Sequence, residues 1–464
     1  MKHILTYIEI RTVCVLEGEA LRNTHILRLC GVCMMACLTV LAAVGNTPAE
    51  EVVVITSFPK ELFEAFKGAF EARFPGTTVV VKSRPTSAIV AYVQETASRP
   101  DADIVWASAT DAFAVLKEKG LLQNHRLPEE VANRIPKTIG PYPVHDPDGA
   151  YFGFALSGYG IMWNIPYLQA YGIKAPNDWA DLVSPAYHNH LAMSAPSRSG
   201  TTHLMVEAIL QAQGWEAGWD LLLQICGNAT AITERSFGVP QGVNNGEYGI
   251  GLVIDFFALS AIASGYPVGF AYPAATPITP AGVGMVKGGP NPSAAARFIH
   301  LLLGEEGQRL LLEPQISRLP VIPSLYADAP AGFPNPFKME STSGFNLQVS
   351  ETRYALVNAL FDQTITFRLA ELKAAWGAIH KAETSARAAR ESGRATAEMD
   401  SLIARARVLA GSVPLDGTTA SDATFNEDFR TESTRLQSRL ETEWDAATKD
   451  NYREAARLAT QAME

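Results

Sequence analysis

The chain has 464 residues, 47% of them hydrophobic and 19% charged. That composition is globular and soluble, and the length exceeds one core, so at roughly 100–200 residues per domain two or three are expected. The net charge of −10 argues against nucleic acid as a partner, and an anionic ligand would need a local site rather than the overall field.

Residues 1–49 read as a signal peptide with an upstream segment. Leu29 to Val44 is apolar and uncharged, Arg22 and Arg28 precede it, and Ala42, Ala43, Gly45 and Ala49 supply small residues towards its end. That order is the pattern of a secretory signal, and the run is shorter than the ~20 residues of a membrane span. An uncleaved anchor is the alternative. Cys37 after Met34, Met35 and Ala36 raises a lipoprotein site, although apolar residues continue beyond it. The expected localisation is periplasmic. Cysteine usage agrees: Cys14, Cys30, Cys33 and Cys37 fall in this segment and leave Cys226 alone in the rest. One thiol makes neither an internal disulfide nor a metal cluster, and Cys226, in the apolar "LLLQICG", reads as a small buried hydrophobe.

Strands and helices then alternate. "EVVVITSF" is a β-branched strand, Pro59 suits a helix start, and "KELFEAFKGAFEARF" has helical apolar spacing. "TTVVVKS" and "ADIVWAS" are further strands, with the helices "TSAIVAYVQETA" and "TDAFAVLKEKG" after them, the last capped by Gly120. This β-α-β-α-β-α order implies a largely parallel sheet covered by helices. Each strand leads into small hydroxyl residues: Thr56 and Ser57; Thr86 and Ser87 beyond "KSRP"; Ser108 before Thr110. In open parallel sheets ligands bind beyond the carboxyl ends of the strands, where helix N-termini offer free N–H groups. Ordinary helix capping by Ser and Thr is the competing reading for each residue.

"YFGFAL" and "YGIMWN" read as strands that link two domains. A strand from His190 to Ser194, the stretch "SAPSRSGTTH", and a helix from about Thr201 to Gln213 follow. "ATAITE" is a strand, "YGIGLVID" a strand ending at Asp255, and "VGFAYP" and "AGVGMVKG" two more before a helical pair, "NPSAAARFIHLLLGEEGQRLLLE".

From about Glu51 to Ser324 these segments, in this order and spacing, resemble the periplasmic solute-binding proteins of the iron(III)-type group, which feed ABC importers. The stretches that carry the likeness are "VVVITSF", "DWADLVSPAYHNHLAMSAPSRSGTTH", "YGIGLVID" and "AYPAATPITPAGVGMVKGGPNPSAAARFIHLLLGEEGQRLL". "SRSGTTHLMVEAILQ" and "ERSFGVPQGVNNGEYGIGLVIDFFAL" resemble members that bind phosphorylated sugars or phosphoglycerate. Ferric-binding members carry adjacent tyrosines, and no Tyr-Tyr pair occurs here.

The resemblance implies an α/β, two-lobed periplasmic-binding-protein fold (type II) with a helical C-terminal extension. It implies residues 50–155 in lobe 1 with later returns, 156–285 mainly in lobe 2, 286–343 as return helices and linker, and 344–464 as the extension. It implies a small phosphorylated ligand held between the lobes by Ser199, Gly200, Thr201 and Thr202 at a helix N-terminus, with Thr56 and Ser57 facing them. Glycine lets the backbone approach, and charge-assisted hydrogen bonds to an anion are strong. Glu234 and Asp255, at strand ends, could accept from vicinal hydroxyls. Arg235 could neutralise a phosphate or pair with Glu234, and His203 could donate to ligand or cap. The partners expected are an ABC permease or a membrane sensor kinase, with the protein itself monomeric. No cofactor and no metal ligand set are expected. A ferric or metal-chelate binder of the same fold is the alternative, and a secreted phosphatase a remoter one, since no nucleophile elbow, zinc-protease motif or P-loop is present. The tail from about Gly344 reads as a helical hairpin or small bundle, separable from ligand binding and offering a docking surface for a sensor.

Overall fold

The computed structural model describes residues 50–464, apart from 109, 275, 340–344 and 432–434. The expected signal peptide, with Leu29–Val44 and Cys37, lies outside the described residues, and so does the side chain of Ser87. Among the described residues no helix is long and apolar enough to cross a membrane.

Two sheets form the cores of two lobes. The first runs, edge to edge, Leu319–Pro320, Phe152–Ser157, Thr279–Val286, Ile104–Ala107, Glu50–Thr56 and Thr77–Ser83, with Leu122–Gln123 beside Thr279–Val286. The three strands first in sequence are parallel, as their helical crossovers require. Thr279–Val286 then returns antiparallel to both Ile104–Ala107 and Phe152–Ser157, so the sheet is mixed rather than largely parallel. The second sheet runs Ala229–Thr233, Leu191–Ser194, Ile250–Ile254, Tyr159–Asn164 and Val268–Ala271.

The chain passes from the first sheet to the second between Ser157 and Tyr159, through Gly158. It returns over the span between Ala271 and Thr279. A Cβ at Gly158 would stand 2.8 Å from Ile278 and 2.9 Å from Tyr272, so the two crossings touch where only glycine fits.

An aromatic cluster anchors the first lobe. Trp106 meets Phe58 and Phe154 edge-on at 5.2 Å and Phe66 at 5.4 Å, the geometry that ring quadrupoles favour. It fixes Phe58, and with it the turn after the first strand.

Helix Gly200–Gln213 is buried from Gly200 to Leu210. Such all-round burial arises because the helix is covered on a second side by the C-terminal helices. The described C-terminal helices are Leu347–Thr352, Tyr354–Phe361, Leu369–Glu391, Ala397–Ala410, Gly417–Ala420, Ala423–Thr431 and Leu436–Gln461, and Tyr354–Phe361 packs on Gly200–Gln213. Leu369–Glu391 packs on helix Trp215–Gly227 of the second lobe. A Cβ at Gly227 would fall 2.3 Å from the Trp376 ring, so this glycine admits the close approach. The tail is a helical bundle, as expected, but it is docked on the second lobe rather than freestanding.

Candidate functional site

A cavity of about 650 Å³ opens between the lobes. One wall is the turn Ser57–Phe63 with Ser83 and Ser108; the other is Thr201, Arg235–Phe237 and part of helix Asp255–Ala263; Gln315, Ile316 and Arg318 complete it.

The turn after Glu50–Thr56 builds the first wall. Thr56 is buried, and its Oγ1 accepts the Phe58 N–H at 3.1 Å, which bends the strand into helix Lys60–Arg73. Thr56 is thus committed to the turn, and Ser57 is left on the wall with its buried Oγ unpartnered. Ser108 follows the strand Ile104–Ala107, and its Oγ lies 3.1 Å from Thr201 Oγ1. That hydroxyl pair joins the lobes directly.

The second wall contains the helix start expected from the sequence. Ser199 caps it, its Oγ accepting the Thr202 N–H at 3.2 Å. Thr202 is buried and bonds Ser194. The capping reading therefore holds for Ser199, and Thr202 is structural. Gly200 opens the helix, and Thr201 carries its hydroxyl to the cavity.

Arg318 is the residue that sequence reading missed. It is 1% exposed, lines the cavity, and both terminal guanidinium nitrogens are buried without a hydrogen-bond partner. Its Cζ lies 3.4 Å from the centroid of Phe256 and 4.6 Å from that of Phe58, so the cation is stacked between a ring of each lobe. Burial pushes its pKa down to about 9, against the attraction of Asp255, so it is still a cation at neutral pH. Ser317, immediately before it, has φ +45°, a conformation uncommon outside glycine. The turn that holds it, with the Ser317 N–H on the Glu313 carbonyl and the Arg318 N–H on the Leu311 carbonyl, aims Arg318 inward. "SRLPVIPS" carries no periodicity that could reveal this; a charge inside an otherwise apolar stretch was the only signal.

Arg235 lines the cavity and stacks on Phe237 at 5.3 Å. It pairs with no carboxylate among the described residues, Glu234 included. The described lining holds three cationic residues, Lys60, Arg235 and Arg318, against one acid, Glu61.

Thr56, Ser199, Gly200 and Thr202 do not line the cavity, and four further expected ligand residues lie elsewhere. Glu234 is exposed beyond the strand Ala229–Thr233 and does not line the cavity. Thr86 is buried at a different cavity, between the first lobe and the C-terminal helices. His203 is fully buried and turned into the C-terminal helices, Nδ1 2.9 Å from Asn358 Oδ1 and Nε2 3.1 Å from Ser350 Oγ. Asp255 is the first residue of its helix rather than the last of a strand. Its Oδ2 accepts from the Gly158 N–H at 2.7 Å and the Tyr272 hydroxyl at 3.0 Å, and its Oδ1 from the Phe256 N–H at 2.7 Å. Gly158 and Tyr272 lie on the two interlobe crossings, so Asp255 pins the hinge. Burial raises its pKa to about 6 despite these donors.

Among the described residues no three His, Cys, Asp or Glu side chains group as metal ligands. Cys226 is buried, its thiol pushed up to about 12 by burial, as its apolar setting suggested.

Comparison with known proteins gives the following. Residues 100–341 match the family model described as bacterial extracellular solute-binding protein. The chain is 32% identical over 368 residues to the phosphoglycerate transport regulatory protein PgtC of Salmonella typhimurium, covering 79% of this chain and 87% of that protein. The periplasmic binding protein AfuA from Actinobacillus pleuropneumoniae, with fructose-6-phosphate bound, shares the fold with TM-score 0.59 and 19% identity, over 68% of this chain and 98% of that one. Iron-bound HitA from Pseudomonas aeruginosa shares it with TM-score 0.54 and 18% identity, over 67% and 98%.

Proposed function

This chain belongs to the bacterial extracellular solute-binding proteins, and on that premise we propose that it is a clamp for a small phosphorylated compound. The ligand, a sugar phosphate or a phosphoglycerate, is captured between the lobes in the periplasm and handed to an ABC importer or a sensor kinase. The chain binds and does not transform its ligand.

The observation that carries this reading is Arg318. A buried cation whose terminal nitrogens make no hydrogen bond is costly, and those two guanidinium nitrogens at a cavity wall fit an oxyanion in the fork geometry of this side chain. Ser57, also buried and unpartnered, supplies a hydroxyl nearby. Arg235, Thr201 and Ser108 offer a second group of donors. An anion that bridges both groups favours the closed clamp by its differential affinity for that state.

The charge balance favours the phosphoglycerate side of the reading. A sugar's vicinal hydroxyls would call for carboxylate acceptors, and both carboxylates expected to serve, Glu234 and Asp255, are off the wall or internally bonded. A phosphorylated acid offers two anionic ends to two cationic groups. The regulatory relative named for phosphoglycerate agrees with this. A bare ferric ion fits poorly with a wall whose described residues include three cations, one acid and one tyrosine, Tyr266.

Calorimetry of the protein with 3-phosphoglycerate, glycerate, fructose 6-phosphate, fructose, inorganic phosphate and ferric citrate tests the reading. Binding of a phosphate ester, with its dephosphorylated parent at least a hundredfold weaker, is the expected result. Binding of ferric citrate alone would overturn it.

A further inference from the structure

We propose that residues 345–358 form a strap that couples the state of the clamp to the C-terminal helices. The strap is anchored on the helix that bears a cavity residue, and it also touches the opposite lobe. The proposal rests on the clamp reading but not on the identity of the ligand.

Helix Gly200–Gln213 presents Thr201 to the cavity. From two residues further on, its other side is bonded to the strap. His203 meets Asn358 and Ser350 with its two ring nitrogens, and Tyr354 lies over its ring at 4.2 Å. One turn later Glu207, fully buried, takes the Arg353 guanidinium in a two-pronged pair, Nε to Oε1 at 2.7 Å and Nη2 to Oε2 at 2.8 Å. At the far end Gln211 and Asn346 exchange hydrogen bonds: the Asn346 N–H to Oε1 at 2.6 Å, and Nε2 to the Asn346 carbonyl at 3.1 Å. The Gln211–Asn346 pair is exposed, but the His203 and Glu207 contacts are buried, and partnered polar groups out of water define one geometry and strongly resist separation. The strap therefore travels with the second lobe.

The same segment lies against the first lobe. Phe345 is buried beside the Tyr142 ring, centroids 6.1 Å apart. Helix Leu347–Thr352 packs on helix Thr110–Glu118. Behind this contact a second cavity, of about 480 Å³, separates Val90, Ala112 and Val115 of the first lobe from Tyr354, Ala355 and Thr431 of the extension. This seam is distinct from the crossings at Gly158 and Tyr272 and shares no lining residue with the ligand cavity. Rotation of one lobe against the other must shift it. Closure covers the first-lobe face of the strap, and opening uncovers it. Occupancy of the cleft is thereby displayed on the C-terminal helices, away from the ligand.

The test closes the clamp without ligand. Ser108 and Thr201 face each other across the lobes with their oxygens 3.1 Å apart. In the full chain S108C/T201C is oxidised, the 108–201 link verified by peptide mass mapping, and hydrogen exchange compared with the same protein reduced. A dibromobimane bridge replaces the disulfide if it does not form. The expected result is at least tenfold slower exchange of residues 345–355 in the locked form. Equal rates in locked and reduced protein would overturn the coupling. Adding E207Q/R353Q to the lock is expected to abolish the difference; persistence of the full tenfold effect would show that the strap is not carried by this pair, and would overturn the mechanism. Neither measurement involves a phosphate ester, so failure of the ligand reading leaves both intact.

Discussion

Replacing Arg318 by Met removes the guanidinium while keeping an unbranched side chain of similar reach. The structure sets two opposite expectations for this one change. Depression of the pKa from the usual guanidinium value to about 9 by burial corresponds to roughly 5 kcal/mol against the cation. Stacking of the desolvated cation on Phe58 and Phe256 returns about 2 kcal/mol per ring. The net for the unliganded protein is a change within about 1 kcal/mol, in contrast to the 3–5 kcal/mol lost on breaking a partnered buried ion pair. For the ligand, two charge-assisted hydrogen bonds disappear, about 1.5–3 kcal/mol each. The dissociation constant should therefore rise at least a hundredfold. Calorimetric titration with 3-phosphoglycerate and thermal unfolding without ligand read the two effects separately. A variant that binds as tightly as the parent but unfolds with several kcal/mol less stability would refute the reasoning. Arg318 would then be a structural cation.

Other expectations follow from the same walls. Thr201→Val keeps the side-chain shape and removes the hydroxyl that reaches Ser108; affinity should fall about tenfold, or 1.4 kcal/mol, and unchanged binding would remove Thr201 from the site. Asp255→Asn tests the hinge pin through pH. The raised pKa of about 6 means that the folded protein holds a proton the unfolded chain has lost, so this residue's contribution is present below pH ~4 and is lost as pH rises through about 6. The stability of the Asn variant relative to the parent should thus climb by roughly 3 kcal/mol between those limits. The slope is the diagnostic, because the amide turns a donor towards the Phe256 N–H and adds a loss that does not vary with pH; a flat difference would contradict the assignment. Deletion of residues 345–464 bares His203 and leaves Glu207 without Arg353; the truncated protein should aggregate or melt well below the parent, whereas unchanged melting and ligand affinity would make the extension an independent appendage.

The strands and helices of the first lobe were legible because each element carries its own signal. Glu50–Thr56 is β-branched, Lys60–Arg73 has apolar residues at helical spacing, and neither depends on remote chain for its identity. The hydroxyls after the strands were legible in the same way, and Ser57, Ser108 and Thr201 do line the cavity. Polar residues whose role depends on distant partners were not. His203 and Glu207 lie within a helix whose covering layer begins more than a hundred residues later. Asp255 reads as an acid at a strand end, and only the meeting of Gly158 and Tyr272 shows that its lone pairs are occupied.

The same consideration bears on the proposed ligand chemistry. A list of strand-end residues weighs Glu234 and Asp255 equally with the hydroxyls, and so describes a site with both acids and donors, suited to a sugar or a glycerate. Folding withdraws both acids and brings in Arg318 from a segment without periodicity, between a Phe of each lobe. What remains on the wall is a donor-rich, cationic surface with one carboxylate, Glu61. Because the net charge of the chain is −10, this surface works against the overall field rather than with it. An anion enters only where local cations outweigh that field at short range, since screening confines exposed charges to about 10 Å at moderate salt. Affinity should therefore depend on the count of anionic groups that reach Arg318 and Arg235 together.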